Sequence, residues 1–279
     1  MSPAASAPGR VGRDGALTLV FERRGERTVV AGCRSTLPLQ VLTPVALDDR
    51  AAVVSILNPT GGVVGGDRLG IEVDVGIGAH ACLTTPSATR VYRTTGAPAV
   101  QTLAVRLAPR AVCEWLPDHT IPSPGAALTQ ISTFDVADGA TLIVVDAWAA
   151  GRVARGEAWT FARLDSALSV RDRAGVVLHD RLVLDGGRDW SALGLAEGSS
   201  YFASVAVVTD RPIDDFVAGV ASVADETGAR LGAARLARRG VMVRCLAEGA
   251  PPLTAAVAGV WALARRTVLG VPPLALRKG

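Results

Sequence analysis

Apolar and polar residues alternate with period two through the first two-thirds of this chain, in short runs bounded by Gly, Pro or Asp. Alternation of that kind puts one face of a strand inward and the other outward. Leu17–Phe21, Thr28–Ala31, Ala51–Leu57, Leu69–Ile77, Ala81–Thr85, Val100–Leu107, Leu128–Val136 and Thr141–Val145 all read as strands. Leu168–Arg171, Val176–Leu178, Leu182–Leu184 and Phe202–Val208 continue the pattern. Many short strands at close spacing predict a mainly β protein: a sandwich, a barrel, or a coiled or layered sheet body. No repeat of fixed length stands out, so a regular solenoid is not expected.

The pattern changes in the last third. Phe216, Val217, Val220, Val223 and Ala224 recur at helical spacing between Pro212 and Leu236, and Gly228 or Gly232 should end that helix. After a strand at Val241–Leu246, Thr254 is placed to cap a second helix with Val257, Val260, Trp261, Ala264 and Val268 on one face. The expected organisation is a loose tail over residues 1–13 and one β-rich domain over residues 14–279, with about two α-helices towards its end.

Composition removes several kinds of chemistry. The only lysine is Lys278, so Schiff-base catalysis and a P-loop or kinase-type lysine have no residue to use. A net charge of +3 with arginines spread along the chain gives no basic stripe for nucleic acid. Cys33, Cys82, Cys113 and Cys245 lie far apart, which is neither a disulfide framework nor a zinc knuckle. Residues 1–13 contain no apolar core of a signal peptide, and the longest uncharged run, Gly249 to Ala264, is too short to span a bilayer. A cytoplasmic protein with no membrane segment is the expectation.

The most distinctive segment is Asn58 to Leu69, NPTGGVVGGDRL. Asp67 and Arg68 follow the glycines where a Walker A loop needs Lys and Ser or Thr. Leu69, Ile71, Val73 and Val75 then alternate as a strand, so no helix opens to form a dinucleotide cradle. Gly61, Gly62, Gly65 and Gly66 read as structural residues of a strand–turn–strand element.

Other groupings leave two readings open. His80 and Cys82 fall on one face of a strand and could contribute two soft ligands to nickel or zinc, or be purely structural. Thr84, Thr85, Thr89 and Arg90 belong to a run of hydroxyls and arginines that could line a polar crevice. Asp67, Asp146, Glu157 and Asp180 could lie in salt-bridged surface loops or face inward. Inward carboxylates are costly unless paired or bound to a cation, so an inward cluster would mean transient cation handling. No G-x-S-x-G elbow or metalloprotease histidine spacing is present.

Five dissimilar segments occur in one order: FERRGERTVV at Phe21–Val30, LNPTGGVVGGDRL at Leu57–Leu69, LTTPSATRVYRT at Leu83–Thr94, CEWLPDHTI at Cys113–Ile121 and GRVARGEAW at Gly151–Trp159. With HDRLVLDGG at His179–Gly187, they resemble the urease accessory protein family UreD, called UreH in some bacteria. The C-terminus departs from the family pattern, ending Leu274-Ala-Leu-Arg-Lys-Gly279 where Pro-Arg and an aromatic residue are expected.

The resemblance implies a non-enzymatic, β-rich scaffold that binds apo-urease and the accessory protein UreF, and through UreF the GTPase UreG. It allows a homodimer within the accessory complex. It implies no tightly bound cofactor, only transient Ni²⁺ on its way to the urease site. On that reading Asp67, Asp146, Glu157 and Asp180 line or gate a nickel path, and Arg68, Arg90 and Arg152 hold those carboxylates ionised. The rival readings are a β-rich cytoplasmic hydrolase or lyase using the acids near Asp67 and Glu157 as an acid–base pair, and a plain binding module.

Overall fold

The computed structural model describes residues 13–42, 50–188, 190 and 192–276. Of the expected tail, all but Arg13 lies outside the described residues, as does Lys278.

The alternating runs form two large sheets whose strands are mostly parallel. In sheet one the strand order is Gly175–Asp185, Arg163–Asp172, Ala127–Val136, Ala99–Leu107, Arg68–Val75, Asp14–Arg24 and Arg27–Ser35. The five inner strands run parallel, and an antiparallel strand closes each side. In sheet two the order is Arg230–Arg235, Gly240–Ala247, Tyr201–Val208, Thr141–Ala149, Val112–Leu116, His80–Thr84, Ala52–Leu57 and Gln40–Val41. Its four middle strands, Ala52–Leu57 to Thr141–Ala149, are parallel.

From Ala52–Leu57 to Arg163–Asp172 the chain alternates between the two sheets, so it winds as stacked coils. This is the coiled sheet body among the expected architectures, built without a fixed repeat length. Successive parallel strands of sheet one begin at residues 68, 99, 127 and 163, in unequal steps that hide any period. The glycine-rich segment is likewise not a turn within one sheet. It carries the chain from sheet two to sheet one, and Val63 within it bridges Val91. With Thr89–Val91 and Thr120–Pro122 it forms a short third wall along one side of the coil.

The opposite side is closed by three four-residue turns, Gly76–Ala79, Ala108–Ala111 and Ala137–Ala140. Each is closed by a bond from its last N–H to its first carbonyl, at 3.0, 3.1 and 3.2 Å. Each also has positive φ at its third residue: Gly78 at 65°, Arg110 at 59° and Gly139 at 69°. Glycine adopts that conformation freely, whereas a residue with a Cβ is strained there by about 1 kcal/mol. Arg110→Gly should therefore raise the stability, and Gly139→Val should lower it, by about 1 kcal/mol in each direction, shifting the melting temperature accordingly. Thermal melts that coincide for both variants and the wild type would show that these turns carry no strain.

The interior splits into two apolar layers. Leu19, Phe21, Val73, Leu128, Phe134, Leu142 and Val144 fill the space between the sheets. Ile143, Val145, Val205, Val207, Val241 and Val243 pack from the other face of sheet two onto the helices. Those helices are Asp214–Thr227 and Ala250–Ala264. The first stops at Gly228, in the left-handed conformation, and Arg230–Arg235 becomes an edge strand. The second starts ahead of the predicted Thr254 cap, with Gly249 at its N-cap and Pro251 and Pro252 in its first turn. Prolines are tolerated there because first-turn N–H groups have no partner within the helix. No helix among the described residues is long and apolar enough to cross a membrane.

Candidate functional site

Thr141–Ala149 is covered on both faces, and a strand so placed should be apolar throughout. It has one charged residue, Asp146. Leu142, Val144 and Trp148 face the space between the sheets, and alternation turns Asp146 the same way. Across that space, sheet one supplies a polar rung: Gln101 pairs with Gln130, which pairs with Ser166. Within sheet two, Asp146 pairs with Ser204, which pairs with Arg244.

Of these residues, Gln101, Gln130, Val144 and Asp146 border a cavity of about 420 Å³. Gln101, Gln130, Ser132 and Asp146 provide its polar floor, and Leu69, Ile71, Leu103, Trp115 and Val144 its apolar sides. Asn58, Thr85, Ser87, Thr89, Arg90 and Asp118 line it where sheet two meets the wall. The Gln130 amide donates to Asp146 Oδ1 at 3.0 Å, and the Ser166 hydroxyl donates to Oδ2 at 3.0 Å. Burial pushes the Asp146 carboxyl up from its ordinary range, and the nearby negative charge of Asp180 adds to the rise. Donors at Trp148, Ser166 and Gln130 offset only part of it. The Trp148 indole N–H favours the anion but falls short of hydrogen-bond geometry, leaving it a buried donor without a partner among the described residues.

The four carboxylates singled out in the sequence do not form one cluster. Asp180 is held by both guanidinium nitrogens of Arg244, at 2.8 and 2.7 Å, and Arg244 also bonds Ser204. That pair ties Gly175–Asp185 of sheet one to Gly240–Ala247 of sheet two. Asp67 is buried in the glycine-rich crossover, where its oxygens accept the N–H groups of Arg13 at 2.8 Å and Val64 at 2.9 Å. Glu157 pairs with Arg152 at 2.5 Å in the small ribbon of Gly151–Arg152 and Glu157–Ala158. Neither Asp67 nor Glu157 lines the cavity.

The arginine assignments change accordingly. Arg152 has the acidic partner expected of it, but Asp180 is held by Arg244, and Arg68 and Arg90 pair with no described carboxylate. Thr84 donates to the Leu116 carbonyl at 2.7 Å, and Thr85 accepts the Asp118 N–H at 2.9 Å. Thr89 pairs with Thr120 in the wall. Gly61, Gly62 and Gly66 have positive φ. At Gly65 an added Cβ would sit 2.8 Å from Thr94 Cγ2 and 3.1 Å from the Ala97 carbonyl oxygen.

His80 and Cys82 face the helices, away from the cavity. His80 Nε2 lies 2.5 Å from Glu114 Oε1, and no group of three or more His, Cys, Asp or Glu that could hold a metal occurs among the described residues. Glu114 is fully buried and anchors the second helix: Arg265 Nη1 meets Oε1 at 2.5 Å, and the Trp261 indole donates to Oε2. Burial alone would raise the Glu114 carboxyl. The hydrogen bond and charge of His80, the charge of Arg265 and the Trp261 bond outweigh it and hold the group below its ordinary range.

Sequence reading missed Gln130, Ser166, Ser204 and Arg244. The signal was a break in the alternation: Gln130 and Ser132 occupy inward positions between Leu128 and Phe134. Reading it required knowing which face pointed inward.

A coiled β scaffold around a cavity whose polar floor carries a half-buried carboxylate is the class of protein that this fold and site define. The family model for the UreD urease accessory protein matches residues 13–278. A urease accessory protein UreD of Alkalilimnicola ehrlichii is 36% identical over 274 residues, covering 96% of this chain and 92% of the relative. That of Actinomyces naeslundii is 32% identical, covering 95% of this chain and 98% of its own length. That of Pseudomonas putida is also 32% identical, with 95% and 93% covered. The chain belongs to the UreD urease accessory protein family.

Proposed function

We propose that this chain is a scaffold for urease maturation that binds apo-urease, UreF and, through UreF, UreG, and that Ni²⁺ reaches urease by way of the cavity between its sheets. A homodimer within the accessory complex belongs to the same proposal. The observation that carries the cation part is the Asp146 carboxylate, which borders the cavity with hydrogen bonds only from neutral side chains. A carboxyl that borders a cavity and has only neutral partners is costly to ionise, and a passing cation would offset that cost. Its neighbours Gln130, Ser132 and Ser166 offer oxygen rather than thiolate or imidazole. Carboxylate, amide and hydroxyl oxygens hold a divalent transition metal less tightly than softer ligands, which suits transfer over storage.

In this proposal Asp146 is the way station and Asp180 adds negative potential beside it. Asp67 and Glu157 shape the crossover and the ribbon. The same placement weakens the acid–base enzyme reading, because Asp67 and Glu157 do not converge on one cavity.

The test is co-expression of the urease subunits and the other accessory proteins with and without this chain, reading urease activity and bound nickel together. Urease formed without the chain should be nickel-poor and weakly active. Full nickel content in its absence would overturn the proposal.

A further inference from the structure

We propose that the outer face of the third wall, centred on Tyr92 between Arg90 and Arg93, docks a carboxylate-rich segment of a protein partner. This does not depend on a cation passing through the cavity.

Val63 bridges Val91, and Val91 pairs with Pro122, so these three residues form one rung of the wall. Val63 and Val91 are buried at 1% and 0% exposure, and alternation turns their neighbours Val64 and Tyr92 outward; Arg90, at the cavity's rim, is exposed beside them. Val64 and Tyr92 are accordingly exposed, at 39% and 38%.

Tyr92 is fixed in place. Its hydroxyl donates to the Gly61 carbonyl at 3.1 Å, and its ring crosses Gly62 so closely that a Cβ there would lie 2.7 Å from Tyr92 Cε2. The Arg93 side chain lies against Gly125, its Cγ 3.2 Å from where a Cβ would stand. A rigid aromatic residue that is ordered before binding loses little entropy on contact, as interface anchors do.

Arg90 and Arg93 are exposed and form no ion pair with any described residue, whereas Arg106, Arg163, Arg181, Arg230 and Arg235 are all paired. The nearby Asp67 carboxylate is 3% exposed and spent on backbone N–H groups. Two free guanidinium forks beside an exposed aromatic ring and a valine match a segment carrying carboxylates and one apolar side chain. Two arginines make too short a track for a nucleic-acid backbone, which is met by a longer basic groove.

The experiment measures fluorescence anisotropy on the full chain with three labelled probes. They are a Glu/Asp-rich peptide containing one Leu, the same peptide with Gln and Asn for the acids, and a single-stranded oligo(dT). The acidic peptide should bind best, and more weakly as salt rises. The Arg90→Ala/Arg93→Ala double variant should bind it roughly tenfold more weakly, with an unchanged melting temperature. Arg34→Ala, an exposed arginine on a strand outside the wall, should bind like the wild type. No binding of the acidic peptide, equal weakening in Arg34→Ala, or tighter binding of oligo(dT) would each overturn the proposal.

Discussion

Glu114→Ala should melt far below the wild type, or fail to accumulate as folded protein. The substitution removes the shared acceptor of three buried groups: His80, Trp261 and Arg265, the last at 0% exposure. Breaking a buried ion pair from one side costs about 3–5 kcal/mol, because the remaining charge stays desolvated and unpaired. For a domain of this size that corresponds to roughly 10 °C in melting temperature. The loss should concentrate on the second helix, since Trp261 and Arg265 lie at its end and Arg265 also bonds the Pro272 carbonyl at 2.9 Å. Replacing Glu114 and Arg265 together by apolar residues should cost less than the sum of the single changes.

The pH dependence follows from the direction of the shift. The Glu114 carboxyl is lower in the folded chain than its ordinary 4.5, so its contribution is complete above that value. It is lost as pH falls through the lowered folded value. Thermal melts from neutral to acid pH should therefore converge for wild type and Glu114→Gln only at the acid end. A Glu114→Ala variant that melts within a degree or two of wild type at neutral pH would refute this account.

Asp146→Asn should do two things of opposite sign: stabilise the protein and impair its function. The folded carboxyl is raised above its ordinary 3.8, so ionisation favours the unfolded chain at any pH above that value. The wild type should lose stability relative to Asp146→Asn as pH rises from 3.8 through the raised folded value, and the two should match in acid. Asn keeps the shape, and its side-chain oxygen can still accept from Gln130 or Ser166.

In the maturation assay the same variant should deliver less nickel to urease, with a deficit of roughly tenfold, the scale seen when a metal ligand's surroundings are disrupted. A purely structural Asp146 would give higher stability with no nickel deficit. A loss of both stability and nickel would mean that the carboxylate holds the fold and not the cargo. Only higher stability combined with poorer loading fits the proposed way station.

Much of the fold was legible from local pattern. Leu128, Phe134 and Val136 on one face of Ala127–Val136 mark a half-buried strand, and Phe216, Val220 and Val223 mark a helix face. The winding was not legible, because parallel partners such as Leu103 and Ser132 lie a whole coil apart and the coils differ in length. The repeating element was the tight turn rather than the coil: Gly76–Ala79, Ala108–Ala111 and Ala137–Ala140 share one backbone shape. Arg110 stands in it where the other two turns have glycine, which obscured the likeness.

The candidate site divides along the same line. Asp146 was singled out from the sequence, but just beyond a strand ending at Val145; the structure runs the strand to Ala149 and sets Asp146 inside it at the cavity. Grouping it with Asp67 and Glu157 was not secure, because a carboxylate does not reveal from sequence whether backbone N–H groups, an arginine or open space will meet it.

By itself, the sequence determined most of the long strands, the two helices, the family membership and the missing machinery for lysine and nucleotide-loop chemistry, all of which depend on residue type and near-neighbour spacing. Only the tertiary structure decided that Asp180 faces Arg244, that Glu114 joins three buried partners, and that Asp146 is left with neutral ones. Those pairings join residues far apart in the chain, and their energies depend on burial and distance after the coils have stacked.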